Sequence, residues 1–447
     1  MLFRSIHGPW SEPIYLTSIG FDPAIYHDDD GKKYISILEW ETRENYQAPG
    51  HIVIAEVDLK QGGIIGEWHR INHGFTTRGC AEAPQIYKRH DYYYLVIAAG
   101  GTGYAHGVEI GRSKHIFGPY EPHPSGEPII TSSPRHLFSL GDPDAGRFDC
   151  YNPQSLMQKA GHASLVETPT GEWYMPHLMS RPLEGTLLNP LGRETSIQKM
   201  RWTDDGWLEM QDGTNLAKMT TEAITGGEME ATVYHDVFDD FSSEYHLRFM
   251  TPYRNQEKSW VNTSERAGYL RIRGADSLFS QMNPSIMATR ATSFNYTVET
   301  QVSFNPDHYS ETAGLGLYYD SNNWLYLHIT YSEETDTPVL TILQAKHGKR
   351  IEYPYHRVNI STGKAALKII YKNGQAQLFY QLPDEIEWNA FDEGEFIDVT
   401  YLSDEGVNGE PGEIGGFTGL FNFIGSVDAH QRDSYADFSY YKVENTK

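Results

Sequence analysis

The chain has 447 residues, which is too long for one ordinary hydrophobic core and predicts two large domains. Its formal charge of −24 argues against nucleic acid or an anionic membrane as a partner, and no apolar run approaches the roughly 18 residues of a membrane span. The two cysteines, Cys80 and Cys150, cannot build a disulfide framework, and neither has a metal-ligand spacing. The negative charge therefore favours a neutral substrate over an anionic partner.

The first half of the chain repeats a hairpin pattern. Glycine, proline and Asn/Asp clusters interrupt the sequence at short intervals and no long stretch keeps a helical period, which is typical of an all-β protein. Asp22 begins DPAIYHDDDGKKY, Glu82 begins EAPQIYKRHDYYY and His162 begins HASLVETPTGEWY. In each stretch a tyrosine follows twelve residues after the polar starter. Hairpins recurring at intervals of 60 and 80 residues predict blades of a β-propeller.

The three polar starters are candidate functional residues. Equivalent positions on successive blades converge around the propeller axis, so the repeat predicts that Asp22, Glu82 and His162 meet in one funnel. Any one of them could instead only cap a strand end. Glu82 fits that simpler interpretation least, because the side chains of Ala81 and Ala83 offer it neither a charge nor a hydrogen bond.

The repeat stops near residue 213, where an acidic stretch predicts a linker over residues 213–235. Closely spaced alternating strands then predict a sandwich of two antiparallel sheets over residues 236–447, which leaves residues 1–212 for the propeller. The glycine-rich loop GEIGGFTGL, which ends at Leu420, can carry Phe417 away from the sheet. A flexible surface loop is the alternative interpretation.

Five stretches together resemble glycoside hydrolase family 43, the β-xylosidase and α-L-arabinofuranosidase group. The resemblance covers essentially the whole chain, and the second half is similar to the concanavalin-A-like sandwich appended to the β-xylosidases of the family. The stretches are GFDPAIYHDDDGKKY, AEAPQIY, AAGGTGYAHGVEIGRSKHIFGPYEPH, GHASLVET and LGRETSIQKM.

The resemblance implies a five-bladed propeller, an inverting mechanism and three carboxylates. Glu82 of the EAP motif would be the general acid, and Asp22 of FDP the carboxylate that orients this acid and raises its pKa. Arg193 of GRET would reach the substrate and pair with Asp22. His162 of GHAS would lie on the axis below the sugar, where some members hold a hydrated calcium. The remaining substrate-binding residues would be Phe21, Thr102 and Phe417.

Inverting hydrolysis needs one protonated carboxyl for the leaving oxygen and one ionised carboxylate to activate water. Burial and a neighbouring carboxylate can keep an acid protonated near neutral pH, which fits Glu82 between alanines with Asp22 nearby. The chain departs from the family pattern at Gln85, where histidine is common after the EAP proline, and at Ala99, where glutamate often precedes GGTGY.

The catalytic base is a larger departure, because the family places it as an aspartate ahead of the other two carboxylates. The 60 residues between Asp22 and Glu82 match the step from the third carboxylate to the acid, so Asp22 is not expected to be the base. The chain is therefore expected to be N-terminally truncated, to start inside the second blade and to lack the stretch that carries the base. The fold expected is a partial five-bladed propeller of about three blades plus the end of another, followed by a jelly-roll sandwich. Turnover is expected to be impaired, and exposed blade flanks would favour a homo-oligomer.

The leading interpretation is a β-xylosidase-like enzyme acting from the ends of xylo-oligosaccharides. An α-L-arabinofuranosidase acting on arabinose-substituted substrates is the second, since the two sugars present similar hydroxyl geometries. A carbohydrate-binding protein without catalysis is the third. No cofactor is required in any of them, although a structural calcium could occupy the propeller axis. The localisation, cytoplasmic or periplasmic, stays open.

Overall fold

The computed structural model describes residues 10–44, 50–133, 151–226, 237–241, 245–353, 356–409 and 415–446. Within these ranges the regular structure is almost entirely β-strand, and the two helices, Tyr245–Leu247 and Phe391–Gly394, are single 3-10 turns. Neither is long enough to cross a membrane. The all-β prediction is therefore confirmed.

The chain forms two compact units. The first comprises Met1–Arg181 and Glu194–Glu228, and the second comprises Pro182–Arg193 and Met229–Lys447. The chain therefore leaves the first unit after Arg181 and returns to it at Glu194. No sequence pattern indicated this excursion.

The described residues of the first unit form three antiparallel sheets, built one after another along the chain. In each sheet most neighbours in space are also neighbours in sequence, as in the blades of a propeller. The first sheet contains β1 (Gly20–His27), β2 (Lys33–Trp40), β3 (Gly50–Asp58) and β4 (Gly63–Asn72). The second contains β5 (Glu82–Arg89), β6 (Tyr92–Ala99), β7 (Gly107–Ser113), β8 (Glu121–Pro122) and β9 (Ile130–Thr131). The third contains β10 (Gln158–Ala163), β11 (Val166–Glu167), β12 (Trp173–Ser180), β13 (Glu194–Trp202) and β14 (Leu208–Met210).

Strand β6 shows why these sheets stack face to face. Its sequence YYYLVIAA is an apolar run rather than an alternating one, and its last six residues are buried. Side chains alternate between the two faces of a strand, so such a run supplies two cores at once. Leu95 and Ile97 pack with residues of the first sheet, whereas Tyr94 and Val96 pack with residues of the third. The second sheet is thus covered on both faces.

The described residues of the second unit form a sandwich of a nine-stranded and a seven-stranded antiparallel sheet. Strand β19 (Asn295–Ser303) alternates buried and less buried residues, as expected for a sheet with one face on the core. The nine-stranded sheet contains β15 (Val237–Asp239), β16 (Val261–Asn262), β17 (Leu270–Arg273), β19 (Asn295–Ser303), β25 (Lys364–Lys372), β26 (Gln375–Gln381), β27 (Asn389–Ala390), β28 (Ile397–Asp398) and β30 (Tyr435–Asn445). The other contains β18 (Ser285–Arg290), β20 (Glu311–Asp320), β21 (Asn323–Ser332), β22 (Thr337–Lys346), β23 (Lys349–Glu352), β24 (Val358–Asn359) and β29 (Phe421–Asp428).

Candidate active site

Glu82 is the first residue of β5 and lies at an irregularity of the ladder between β5 and β6. Its neighbours Ala81 and Ala83 are 2% and 5% exposed, so the local backbone is packed in apolar surroundings. The Glu82 side chain is half-buried. Within the described ranges no hydrogen bond or ion pair reaches its carboxyl group. The sequence-based expectation of a poorly solvated acid agrees with this geometry.

The electrostatics of Glu82 follow from this position. Burial raises the pKa of its carboxyl from 4.5 to about 7, and the negative charge of Asp22 adds to the increase. Burial disfavours the charged form of a carboxyl, and a second carboxylate nearby disfavours it further. Glu82 can therefore still carry a proton near neutral pH, as a general acid must.

Asp22 reaches the neighbourhood of Glu82 because strands β1 and β5 lie side by side. The first two sheets are also joined by the Ser36 hydroxyl, which donates to the Pro84 carbonyl oxygen at 3.2 Å. Asp22 is half-buried, and in the described part of the chain its carboxylate accepts no hydrogen bond. The structure thus brings together the two carboxylates that the sequence predicted.

The ladder register corrects one detail of the predicted repeat. Phe21 pairs with Leu38 before the irregularity in β1, and Glu82 pairs with Ala98 before the corresponding one in β5. By this register Glu82 corresponds to Phe21, one residue before the position of Asp22.

The backbone conformation supports the corrected register. Asp22, Ala83 and His162 have φ values of 56°, 52° and 50°, in the left-handed region that few residues other than glycine adopt. Each lies within a ladder irregularity of its sheet. Asp22 and His162 are therefore equivalent as predicted, whereas Glu82 is not their counterpart.

His162 is half-buried in β10, directly after Gly161. A Cβ atom added to Gly161 would lie 2.5 Å from the ring of His106, so only glycine allows this close packing. The His106 ring in turn lies 3.0 Å, Nδ1 to oxygen, from the Lys159 carbonyl group. These contacts fix the strand that presents His162.

Gln85 also has a defined role in this region. Its amide nitrogen donates to the Ser164 hydroxyl at 2.8 Å and to the Ala163 carbonyl at 3.3 Å. The Tyr87 hydroxyl donates to the Gln85 side-chain oxygen and accepts from the Leu165 amide at 2.8 Å. Gln85, which departs from the family pattern, therefore joins the strand of Glu82 to the segment that follows His162.

Phe21 and Thr102 are both accessible. Phe21 is 37% exposed, and its ring lies 5.2 Å from that of Trp40, which is 47% exposed. Thr102 is an exposed residue in the turn between β6 and β7. Trp40, the last residue of β2, was not among the residues predicted from the sequence.

Arg193 and Phe417 lie together in the second unit. The guanidinium carbon of Arg193 is 5.2 Å from the centre of the Phe417 ring, within the range of a cation–π contact. The Arg193 amide also donates to the Phe417 carbonyl at 3.1 Å. The predicted pairing of Arg193 with Asp22 joins residues of different units and stays a prediction.

Phe417 is 48% exposed and borders a cavity of about 580 Å³ in the second unit. That volume lies within the range of small-molecule sites. The loop therefore presents an aromatic ring to solvent. The lining residues include Met250, Tyr253, Tyr318, Asp320, Asn322 and Phe421.

In the described part of the chain, His162 does not belong to a cluster of acidic or histidine side chains close enough to share an ion. Calcium prefers six to eight oxygen ligands, and a histidine ring offers nitrogen. Among the described residues the acidic or histidine groups close enough to share an ion are Glu311, Asp428 and Asp433 in the second unit. Asp428 is held there by backbone amides, including those of Asp433 and Ser434 at 2.9 Å. A water-mediated calcium near His162 stays a prediction.

Comparison with known proteins identifies the family. Residues 3–208 match the model for glycosyl hydrolases family 43, and residues 236–444 match that for the β-xylosidase C-terminal concanavalin A-like domain. A xylan 1,3-β-xylosidase of Vibrio sp is 34% identical over 98% of this chain and 78% of its own length. The chain belongs to glycosyl hydrolase family 43. It is a glycosidase, and its fold is the propeller followed by a sandwich that the sequence predicted.

Further relatives of this family 43 chain carry two kinds of name. A β-xylosidase of Bacillus subtilis is 34% identical over 99% of the chain and 79% of its own length. A non-reducing end α-L-arabinofuranosidase of Bacteroides ovatus is 31% identical over 72% of the chain and 55% of its own length. The solved xylan β-1,4-xylosidase of Bacillus halodurans superposes with a TM-score of 0.89 at 36% identity, covering 99% of this chain and 79% of that one.

The comparisons leave two sequence-based expectations without support. The similarity to family 43 hydrolases extends over about 98% of the chain, which gives no support to impaired turnover. The number of blades stays a prediction, since the described residues show three sheets in the first unit.

Proposed function

We propose that this family 43 chain is a β-xylosidase that removes xylose from the ends of xylo-oligosaccharides with inversion of configuration. The observation that carries the proposal is the Glu82 carboxyl, half-buried between alanines, whose pKa is raised to about 7. A structural carboxylate is normally paired or solvated, whereas an acid catalyst must keep its proton until the glycosidic oxygen needs it.

Each carboxylate has a distinct part in the proposed mechanism. Glu82 protonates the leaving oxygen as the bond to the anomeric carbon breaks. Asp22 places a negative charge beside Glu82, and this charge keeps the pKa of Glu82 high between turnovers. Inversion also needs an ionised carboxylate about 6.5–9.5 Å from the acid to activate water. We assign that role to none of the described residues.

The neutral groups of the sugar are proposed to meet the substrate-binding residues predicted from the sequence. These are His162, Phe21, Thr102, Arg193 and Phe417. An aromatic face suits the apolar face of a pyranose ring, and a guanidinium can donate to several hydroxyl groups. No metal ion is needed for these contacts.

α-L-Arabinofuranosidase activity is the second candidate, because one relative at 31% identity carries that name. Release of 4-nitrophenol from the aryl β-xyloside and the aryl α-L-arabinofuranoside separates the two. We expect the higher kcat/KM on the xyloside. A higher value on the arabinofuranoside would reverse the assignment, and sugar binding without release of 4-nitrophenol would indicate a carbohydrate-binding protein.

Phe417→Ala should weaken sugar binding without unfolding the sandwich. We expect KM for the aryl xyloside to rise by up to about tenfold, because an aromatic contact of about 0.5–1.5 kcal/mol is lost. Phe396→Ala is the matched control, since Phe396 is 54% exposed in the same unit. Equal KM values for the two variants would place Phe417 outside the sugar pocket.

A further inference from the structure

We propose that Asp404 is the positioning residue that holds Arg193 and Phe417 in register with each other. The inference rests on the proposed function for the roles of Arg193 and Phe417, and otherwise on contacts within the second unit. Asp404 was not among the residues predicted from the sequence. It is fully buried, although a carboxylate is almost never buried unless it is paired or hydrogen-bonded.

The side chain of Asp404 accepts hydrogen bonds from three separate parts of the chain. Its Oδ1 atom accepts from the Tyr319 hydroxyl at 2.6 Å and from the Gly419 amide at 3.3 Å. Its Oδ2 atom accepts from the Asn189 side-chain amide at 3.1 Å. One carboxylate thus joins the loop that carries Phe417 to the segment Pro182–Arg193 that ends at Arg193.

The backbone of Asp404 makes the same connection again. Its carbonyl oxygen accepts from the Gly415 and Gly416 amides at 2.7 and 3.2 Å, at the start of the described part of the loop. Its amide donates to the Asn189 carbonyl at 3.0 Å. The neighbouring Glu405 carboxylate accepts from the Asn189 amide at 2.8 Å. Asn189 is therefore bound through its backbone and its side chain.

The two segments also pair directly. The Arg193 amide donates to the Phe417 carbonyl at 3.1 Å, and the Leu420 amide donates to the Pro190 carbonyl at 2.7 Å. These bonds fix the backbones that carry the guanidinium and the aromatic ring. The 5.2 Å approach of the Arg193 guanidinium to the Phe417 ring follows from them.

Two facing glycines make this pairing sterically feasible. Gly192 and Gly419 have φ values of 70° and 71°. A Cβ atom on Gly192 would lie 2.6 Å from the Gly419 nitrogen, and one on Gly419 would lie 2.5 Å from the Gly192 nitrogen. The segments are built for direct backbone contact, and Asp404 supplies the acceptors that keep them there.

The charge of Asp404 is expected to matter for this function. Hydrogen bonds to a carboxylate are about twice as strong as those between neutral groups. Asparagine has nearly the same size as aspartate, but an NH2 group replaces one of the two acceptor oxygens. This NH2 group would face the donors that now bind Asp404. The loop should then adopt additional conformations. Phe417 and Arg193 should be positioned to bind the sugar in a smaller fraction of these conformations.

The experiment compares Asp404→Asn and Tyr319→Phe with the control Tyr326→Phe. Tyr319→Phe removes only the hydroxyl that donates to Asp404, and it carries the test alone if Asp404→Asn does not fold. Tyr326 is a buried tyrosine of the same unit whose hydroxyl donates to the Gly425 carbonyl at 3.2 Å. Hydrogen exchange is measured for peptides covering residues 415–420 and 189–193, together with kcat and KM on the aryl xyloside.

We expect faster exchange in both peptides for the two test variants and not for the control. We expect kcat/KM to fall about tenfold, mainly through KM, as befits the loss of one strong hydrogen bond. In a Phe417→Ala background the additional loss should largely disappear, because the group that is positioned is already absent.

Unchanged exchange in both test variants would overturn the positioning role. A loss of kcat/KM that is fully additive with Phe417→Ala would overturn it as well. If the wild-type chain hydrolyses neither aryl glycoside, the proposed function fails, and the exchange measurement still decides whether Asp404 holds the two segments together.

Discussion

Glu82→Gln is expected to lower the hydrolysis of xylobiose by about a thousandfold, because general acid catalysis contributes factors of this size. A xyloside with an activated aryl leaving group should lose far less, since its leaving oxygen needs little protonation. Glutamine keeps the size of the side chain but cannot donate the acidic proton. The measurement is kcat/KM for both substrates with wild type and variant.

A stability measurement serves as the control for this variant. Because the pKa of Glu82 is raised from 4.5 to about 7, folding favours its protonated form. The associated stability is fully present below pH 4.5 and is lost as the pH rises through about 7. Glu82→Gln should therefore be more stable than wild type at alkaline pH, by up to about 3 kcal/mol.

Equal loss of kcat/KM on xylobiose and on the activated aryl xyloside would contradict the role of Glu82 as the general acid.

Asp22→Asn is expected to move the alkaline limb of the rate profile to lower pH. Asp22 contributes to the raised pKa of Glu82, so removing its charge lowers the pH at which Glu82 loses its proton. The limb should stay above 4.5, because burial is the larger cause of the raised pKa. If the pKa of Glu82 falls by about one, the protonated fraction on the alkaline side falls about tenfold.

The matched control for this variant is Asp29→Asn in the hairpin after β1, where the Asp29 side chain is 81% exposed. It should leave the profile in place. Azide rescue of Asp22→Asn that yields a product of inverted configuration would instead identify Asp22 as the base. The profile of kcat/KM between about pH 4 and 9, with and without azide, distinguishes the two roles.

Some of the site could be predicted from local sequence alone. The alanines beside Glu82 indicated a poorly solvated acid, and the glycines around Phe417 indicated a loop that departs from the sheet. Both inferences depend on the nearest neighbours in the chain, and the structure keeps those neighbours at 2% and 5% exposure beside Glu82.

The strand register within each hairpin could not be predicted from the spacing of residues in the sequence. Ala24 and its partner Ser36 are twelve positions apart, whereas Gln85 and its partner Val96 are eleven apart. The count from the polar residue to the tyrosine runs through the turn of each hairpin. The β1–β2 and β5–β6 hairpins differ by one residue in this turn. The position of a side chain at the axis is set by the hydrogen-bonded ladder, so Glu82 falls one place earlier than the count predicted.

The sequence by itself determined the all-β fold, the family and the proximity of the carboxylates of Asp22 and Glu82, because these follow from local patterns and short motifs. Only the tertiary structure decided that Pro182–Arg193 belongs to the second unit and that Asp404 binds Asn189, 215 positions earlier in the chain. The physical reason is that a buried carboxylate is stable only with donors around it, and these donors come from segments that are distant in sequence.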